Sequence, residues 1–318
     1  MDKKRIAISL VFSIIFLSAV FYKVPVREVL NVLKNASPFW MSVAVGVMAL
    51  TITLTGVRWD QVLRSQNWRL PFWQVIRATW YGHCFNTALL GPAAGDIFKS
   101  TLFAREQNMP LVNLLSASWL DRLLAGVGSI IFAVLVVIFT LMTGEQLQIE
   151  LPSVNPWIIA AGVIFVAAVC FLIWKFRLLD KIAFVKKLKD TFAGAIVKMY
   201  KSPGRALTVI LLGCVGQILL SSILAWTLAS VTQTDLPWVQ MLWVFPVIAM
   251  LATLPISVGG VGVREGASLV LLGNYGVVQA DAVAASLLCL GVYWLNAAIG
   301  AILLFIGKPK KTNVTNLK

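Results

Sequence analysis

Residues 112–142 read VNLLSASWLDRLLAGVGSIIFAVLVVIFTLM, and from Leu123 to Met142 the run carries no charged side chain. A membrane-crossing helix needs about 20 predominantly apolar residues, whereas a soluble core helix shows runs nearer 10–14. Working outward, segments 6–22, 39–57, 157–174, 206–230 and 281–306 have the same character. Segments 72–105 and 238–275 are apolar but interrupted. Composition agrees: of 318 residues, 59% are hydrophobic and 13% charged, against about 45–50% and 25% in ordinary soluble domains. A soluble fold is excluded. No polar stretch is long enough for a second domain, so residues 1–318 read as one polytopic, all-α membrane domain. The 112–142 run is long for one upright span and carries Asp121 and Arg122, so it is expected to tilt or break.

Charge sets the topology. The chain holds 27 Lys and Arg against 13 Asp and Glu, a net +14. Nine of the basic residues fall in segment 175–205 against Asp180 and Asp190. Basic loops mark the cytoplasmic side of a membrane protein, and this one also suits anionic headgroups. No nucleic-acid motif is present, and no nucleic-acid partner is expected. The N-terminus (Lys3, Lys4, Arg5), loop 58–70 (Arg58, Arg64, Arg69), loop 175–205 and the tail (Lys308, Lys310, Lys311, Lys318) are placed inside. Connections 143–155 and 231–237 lack Lys and Arg and are placed outside. Segment 23–38 breaks the charge rule, but its spacing of Val26, Val29, Leu30 and Leu33 suits a helix lying at the outer interface. Residues 6–22 lack a small-residue cleavage site and read as a retained anchor. Trp40, Trp157 and Trp238 fall at span ends, where indoles anchor.

With these loops assigned, 72–105 must enter and leave from inside, and 238–275 from outside. Each is broken by glycine, proline and charge, at 89–96 (LLGPAAGD) and 254–266 (LPISVGGVGVREG). The expectation is about six full spans plus two broken or re-entrant hairpins, with 1–142 and 157–306 as inverted halves. Broken helices in matching positions point to a substrate site near the midplane. The alternative is eight simple spans.

Charges at membrane depth cost roughly 2.5–3.5 kcal/mol each on insertion scales and persist when paired or functional. Three clusters qualify. The first runs from His83 and Asn86 through Gly91 and Gly95 to Asp96 and Lys99. A half-helix starting near Asp96 would point N–H groups at an anion, and Asp96 is equally placed to be its N-cap. His83, the single histidine, has no partner ligands, so no metal is expected and a structural role is favoured over a proton relay. Cys84, Cys170, Cys214 and Cys289 lie in apolar stretches without metal spacing. The second cluster is Asp121-Arg122. Adjacent helical residues point about 100° apart, so each needs its own partner elsewhere. The third is Ser257, Gly259, Gly260, Gly262, Arg264 and Glu265, where glycines permit tight turns and Arg264 suits a bidentate phosphate contact. It lacks the endings of a phosphate loop, and no cofactor is expected. Glu265 is expected to pair with Arg122 or Arg58. Arg58 and Asp60 sit at the exit of the second span, where snorkelling competes with a functional role.

Taken in order, Arg58-Trp59, Phe85-Asn86, Leu90-Gly91-Pro92, Gly95-Asp96, Lys99, Asp121-Arg122 with Gly126, and Leu254-Pro255-Ile256-Ser257 through Gly259-Gly260, Gly262 and Arg264-Glu265-Gly266 form a pattern. It resembles the lysylphosphatidylglycerol synthase transmembrane-domain family, also called the flippase-like domain family, over about residues 6–306. Two departures stand out. The first break reads LLGPAAGD, shifted from the usual LPG…GGD, and Lys99 replaces the commoner arginine, giving charge without a planar fork. The resemblance implies movement or presentation of a lipid such as a phospholipid, aminoacyl-lipid, hopanoid or polyprenyl-phosphate. The aminoacyl transferase domain of the family's lysyl-lipid enzymes is not in the chain, so lysyl transfer is not expected.

The resulting expectation is a transporter-like protein, not an enzyme, in the bacterial or archaeal cytoplasmic membrane, with both termini cytoplasmic. Its partners are a membrane lipid with an anionic headgroup and lipid-modifying enzymes, with the oligomeric state open. Arg58, Lys99, Arg122 and Arg264 hold the phosphate. Asn86 and Ser257 line the path, and Asp96, Asp121 and Glu265 orient the cations or carry protons. Gly91, Gly95, Gly259, Gly260 and Gly262 let the breaks flex. With no nucleotide motif, movement draws on an ion gradient or runs downhill. The alternative is an enzyme partner or scaffold in glycolipid assembly.

Overall fold

The computed structural model describes residues 16–88, 92–142, 183–232, 243–252 and 260–306. The expectations for residues 6–15, Gly91, the 143–155 connection, the 157–174 span with Cys170, Trp238, Ser257, Gly259 and the tail lie outside the described residues. Among the described residues the structure is helical, with no strand. Helix α1 covers 16–23. It is followed by α2 (Val26–Lys34), α3 (Pro38–Ser65), α4 (Phe72–Ala88), α5 (Pro92–Gln107) and α6 (Leu111–Met142). Then come α7 (Ala183–Tyr200), α8 (Pro203–Val231), α9 (Val244–Ala252), α10 (Val263–Gly273) and α11 (Gln279–Ile306).

Among the described residues four helices, α3, α6, α8 and α11, are long and apolar enough to cross a membrane. Three present outward stripes at helical spacing: Ile130, Val134 and Ile138 on α6, Leu207, Leu211, Val215 and Ile218 on α8, and Leu295, Ile299 and Ile302 on α11. Residues three and four apart share one helix face. Water would not tolerate such continuous exposed stripes, whereas lipid tails solvate them.

Helices α3 and α8 run antiparallel through the centre. At one end Ser37 N–H donates to the Ser230 carbonyl at 2.7 Å, and Trp40 stacks on Trp226 with ring centroids 5.2 Å apart. At the other end Arg205 Nη1 donates to the Arg64 carbonyl at 2.7 Å. Helix α6 lies parallel to α8, with Gly213 seated on the Ala125 backbone and Ser129 Oγ 3.3 Å from Gln217 Oε1.

Both interrupted segments fold as antiparallel hairpins. In α4–α5, Arg77 meets Glu106 at 3.6 Å, and Asn86 Oδ1 accepts from Gly95 N–H at 2.8 Å. The crossing is so close that a Cβ on Gly95 would collide with the Gly82 carbonyl and the Asn86 amide. In α9–α10, Trp243 Nε1 donates to the Tyr275 hydroxyl at 2.8 Å, while Gly260 sits against Ala252. The α9 and α10 helices have 9 and 11 residues, about 14 and 17 Å at 1.5 Å per residue. The hairpins enter from opposite ends of the frame: α4–α5 hangs between the end of α3 and the start of α6, and α9–α10 leads into the start of α11.

Several expectations are corrected. Helix α6 is unbroken over 32 residues, because Asp121 and Arg122 both find partners and the backbone need not open. Helix α3 continues to Ser65, so Arg58 and Asp60 are helical and not in a loop. Helix α5 begins at Pro92, which puts Asp96 inside the helix instead of at its N-cap. The basic 175–205 segment contains helix α7, which buries Leu188, Ala195 and Met199 and turns Lys186, Lys187, Lys189 and Lys198 outward. The amphipathic 23–38 segment does fold as a helix, α2, with Val29 buried against Val20, Val24 and Val283.

Gly95→Ala is therefore expected to lower the melting temperature of the detergent-purified protein sharply, at or above the ~1–3 kcal/mol of ordinary overpacking. Gly126→Ala, where a new Cβ meets nothing within 4 Å, leaves it unchanged or slightly raised. Equal melting temperatures for the two variants would refute the close crossing.

Candidate functional site

The α4–α5 hairpin carries charge into the frame. Asp96 and Lys99 lie one turn apart on α5 and are 7% and 3% exposed. Lys99 Nζ sits 3.1 Å from Asp96 Oδ1, and Arg122 Nε of α6 pairs with the other oxygen, Oδ2. One turn of α3 completes the cluster. Arg58 grips Asp121 with two parallel bonds, Nε to Oδ1 at 2.6 Å and Nη2 to Oδ2 at 2.9 Å. This fork-to-fork geometry is the strong form of the interaction. Trp59, fully buried, lies under Lys99, whose Nζ is 4.4 Å from the ring centroid, a cation–π contact away from water. Ser100 and Ser118 hydroxyls, 3.2 Å apart, pin α5 to α6 below it.

The sequence-level argument that Asp121 and Arg122 need separate partners is matched here: Asp121 turns to α3 and Arg122 to α5. The expected pairing of Glu265 with Arg122 or Arg58 is not, because those arginines are taken by Asp96 and Asp121. Snorkelling of Arg58 is also corrected, since its side chain is only 12% exposed. Asp60 instead pairs with Arg64 within the same helix at 2.6 Å. Asn86 locks the hairpin through Gly95. The cluster thus holds three cations and two carboxylates. Arg122 is its open member, with a side chain 44% exposed where its neighbours are nearly closed.

Arg264 and Glu265 form a second, separate group. Gly260 and Gly262 adopt φ of +79° and +86°, a region only glycine enters freely, and they turn the chain into α10. Glu265, fully buried, caps that helix: its Oε2 accepts from Gly262 N–H at 2.5 Å and its Oε1 from Ser286 Oγ at 2.9 Å. Arg264 Nε donates to the same hydroxyl at 3.2 Å, and the guanidinium lies over Tyr293, 5.6 Å from the centroid. Arg264 Nη2 is buried without a hydrogen-bond partner. The two groups meet through α4, where Gly82 faces Lys99 and His83 Nε2 lies 3.4 Å from the Tyr293 carbonyl. Sequence reasoning did not single out Ser286 or Tyr293. Their spacing with Cys289, three and seven residues along one face of α11, was visible, but its meaning depended on which helix it faced. Among the described residues no group of three or more His, Cys, Asp and Glu is placed to hold a metal.

Removing one partner of the Arg58–Asp121 pair strands a buried charge, at about 3–5 kcal/mol. Asp121→Asn is expected to lower thermal stability strongly. The double variant Arg58→Leu/Asp121→Leu recovers most of the loss, and additive losses in this cycle would disprove the coupling.

The family profile described as the lysylphosphatidylglycerol synthase TM region matches residues 6–300. A comparison with curated proteins finds no match. The matched region takes in the hairpins, both charge groups and the long helices that hold them, and the chain belongs to the lysylphosphatidylglycerol synthase TM-region family of multi-pass membrane proteins.

Proposed function

We propose that the protein moves lipids with an anionic headgroup between the leaflets of the cytoplasmic membrane, or presents them there. The observation that carries this reading is the charge balance beside the α4–α5 hairpin: three cations against two carboxylates, with Arg122 as the accessible cation. Asp96 and Asp121 neutralise the cluster enough to exist at depth and hold the bases in place. The remaining positive charge suits a phosphate. Lys99, stacked on Trp59 and tied to Asp96, and Arg58, tied to Asp121, set the field around Arg122. Arg264, with one nitrogen unsatisfied, is a second anion-facing group on the opposite hairpin.

In this reading both hairpins are re-entrant, and the two sets of long helix, hairpin and long helix are inverted halves. The order α3, α4–α5, α6 followed by α8, α9–α10, α11, with the central pair antiparallel, supports it. The end carrying Arg64, Arg105, Arg205 and α7 faces the cytoplasm under the positive-inside rule. Transport, not catalysis, is the role assigned.

The test is translocation of fluorescent phosphatidylglycerol in liposomes holding the reconstituted protein. Wild type and Lys187→Ala, an exposed α7 position, should move the lipid. Arg122→Ala and Asp96→Asn should lower the rate tenfold or more, as expected for about 1.4 kcal/mol or more of lost stabilisation, and Arg122→Lys should retain part. No movement by folded wild type would favour a scaffold or enzyme partner instead.

A further inference from the structure

At the opposite end of α3 from the charge cluster, α2, α3, α8 and α11 enclose a cleft of about 480 Å³. Trp40 and Arg58 are eighteen residues apart on α3, roughly 27 Å along the helix axis. The cleft is therefore a separate feature. Its size lies within the range of small-ligand sites.

Its lining is chemically specific. Asn31 on α2 and Asn35, the residue that ends it, both contribute amides to the lining. Ser37 stands at the start of α3, where its side chain makes no capping bond. Thr232, just past the end of α8, and Asp281, in the first turn of α11, add a hydroxyl and a carboxylate to the lining. Trp40 supplies an aromatic wall, held by stacking on Trp226 and by the Ser37–Ser230 backbone bond. Among the described residues no lysine or arginine lines the cleft, and Asp281 is its one charge, so a phosphate or carboxylate is disfavoured. A bare ammonium would use the carboxylate but leave the amide N–H and hydroxyl donors without acceptors. A group with several hydroxyls answers both, since each hydroxyl donates and accepts, and the C–H face of a sugar ring packs on an indole.

We propose that this cleft binds an uncharged, hydroxyl-rich group, a sugar or polyol, either free or as a lipid headgroup. Asp281, Asn31 and Asn35 make the directional bonds and Trp40 is the platform. The proposal does not depend on lipid movement, and its test reads binding alone.

The experiment is saturation-transfer NMR on the full chain in phosphatidylcholine nanodiscs, with methyl β-D-glucopyranoside as probe. Transfer to the ring protons is expected. Asp281→Asn and, separately, Asn35→Ala should weaken it about tenfold, the worth of a hydrogen bond to a charged or paired group. Asn35 is exposed and Asp281 partly so, so both variants should fold, with helical circular dichroism as the check. Lys187→Ala, on the exposed face of α7, should bind as wild type. Loss of the signal when glucosyl diacylglycerol is added to the nanodiscs identifies a lipid headgroup, and persistence identifies a free ligand. No transfer to the glucoside, equal transfer in both cleft variants, or Asp281-dependent transfer to ethanolamine alone would each overturn the proposal.

Discussion

A charged side chain inside a bilayer must find its countercharge within the protein, and Asp96 and Asp121 are where this chain meets that demand. Each carboxylate ties helices distant in sequence: Asp121 joins α6 to α3 through Arg58, and Asp96 joins α5 to α6 through Arg122. Breaking either leaves a desolvated charge that lipid cannot screen. The pairs therefore act as the frame's registers, fixing which turn of α3 faces which turn of α6 and how deeply the α4–α5 hairpin sits. The glycine contact at Gly82 and Gly95 is the steric counterpart, since only a hairpin without side chains at its crossing can bring Asp96 and Lys99 to that depth.

The second hairpin meets the same constraint differently. Its helices are too short to carry a charge network of their own, and Glu265 is consumed by the turn, capping α10 and bonding Ser286 on α11. Arg264 then rests on Tyr293 with one nitrogen unsatisfied. One hairpin is pinned mainly by ion pairs to its neighbours and the other mainly by a cap and a hydroxyl. The two charge groups thus differ in how firmly they are held.

The far end of the frame is chemically unlike the cluster. Tryptophan stacking and a backbone bond close the α3–α8 pair there, and amides, hydroxyls and a single carboxylate line the cleft beside it. Positive charge thus stands at one level of α3, and hydrogen-bonding groups with a single carboxylate stand at the other, a separation imposed by the length of that helix.

The membrane class, the helical content and the break between α4 and α5 were legible in the sequence, because twenty uncharged apolar residues and a glycine–proline interruption have few physical outcomes. That Asp121 and Arg122 must part company was legible too, from the 100° step between helical neighbours. Their partners were not: Glu265 looked as suitable for Arg58 as Asp121 did, and only the packing of α3 against α6 decided between them. Helix ends were misjudged at Arg58 and Asp96 for a related reason, since a polar residue reads as a boundary until a partner across the fold lets the helix continue past it. The cleft left no linear signal, its lining being drawn from α2, α3, α8 and α11. Local pattern determined what each segment is, because backbone hydrogen bonds and apolar length are local quantities. Which charges neutralise each other was left to tertiary structure, because electrostatic pairing depends on distance in space, which sequence spacing does not encode beyond one or two helical turns.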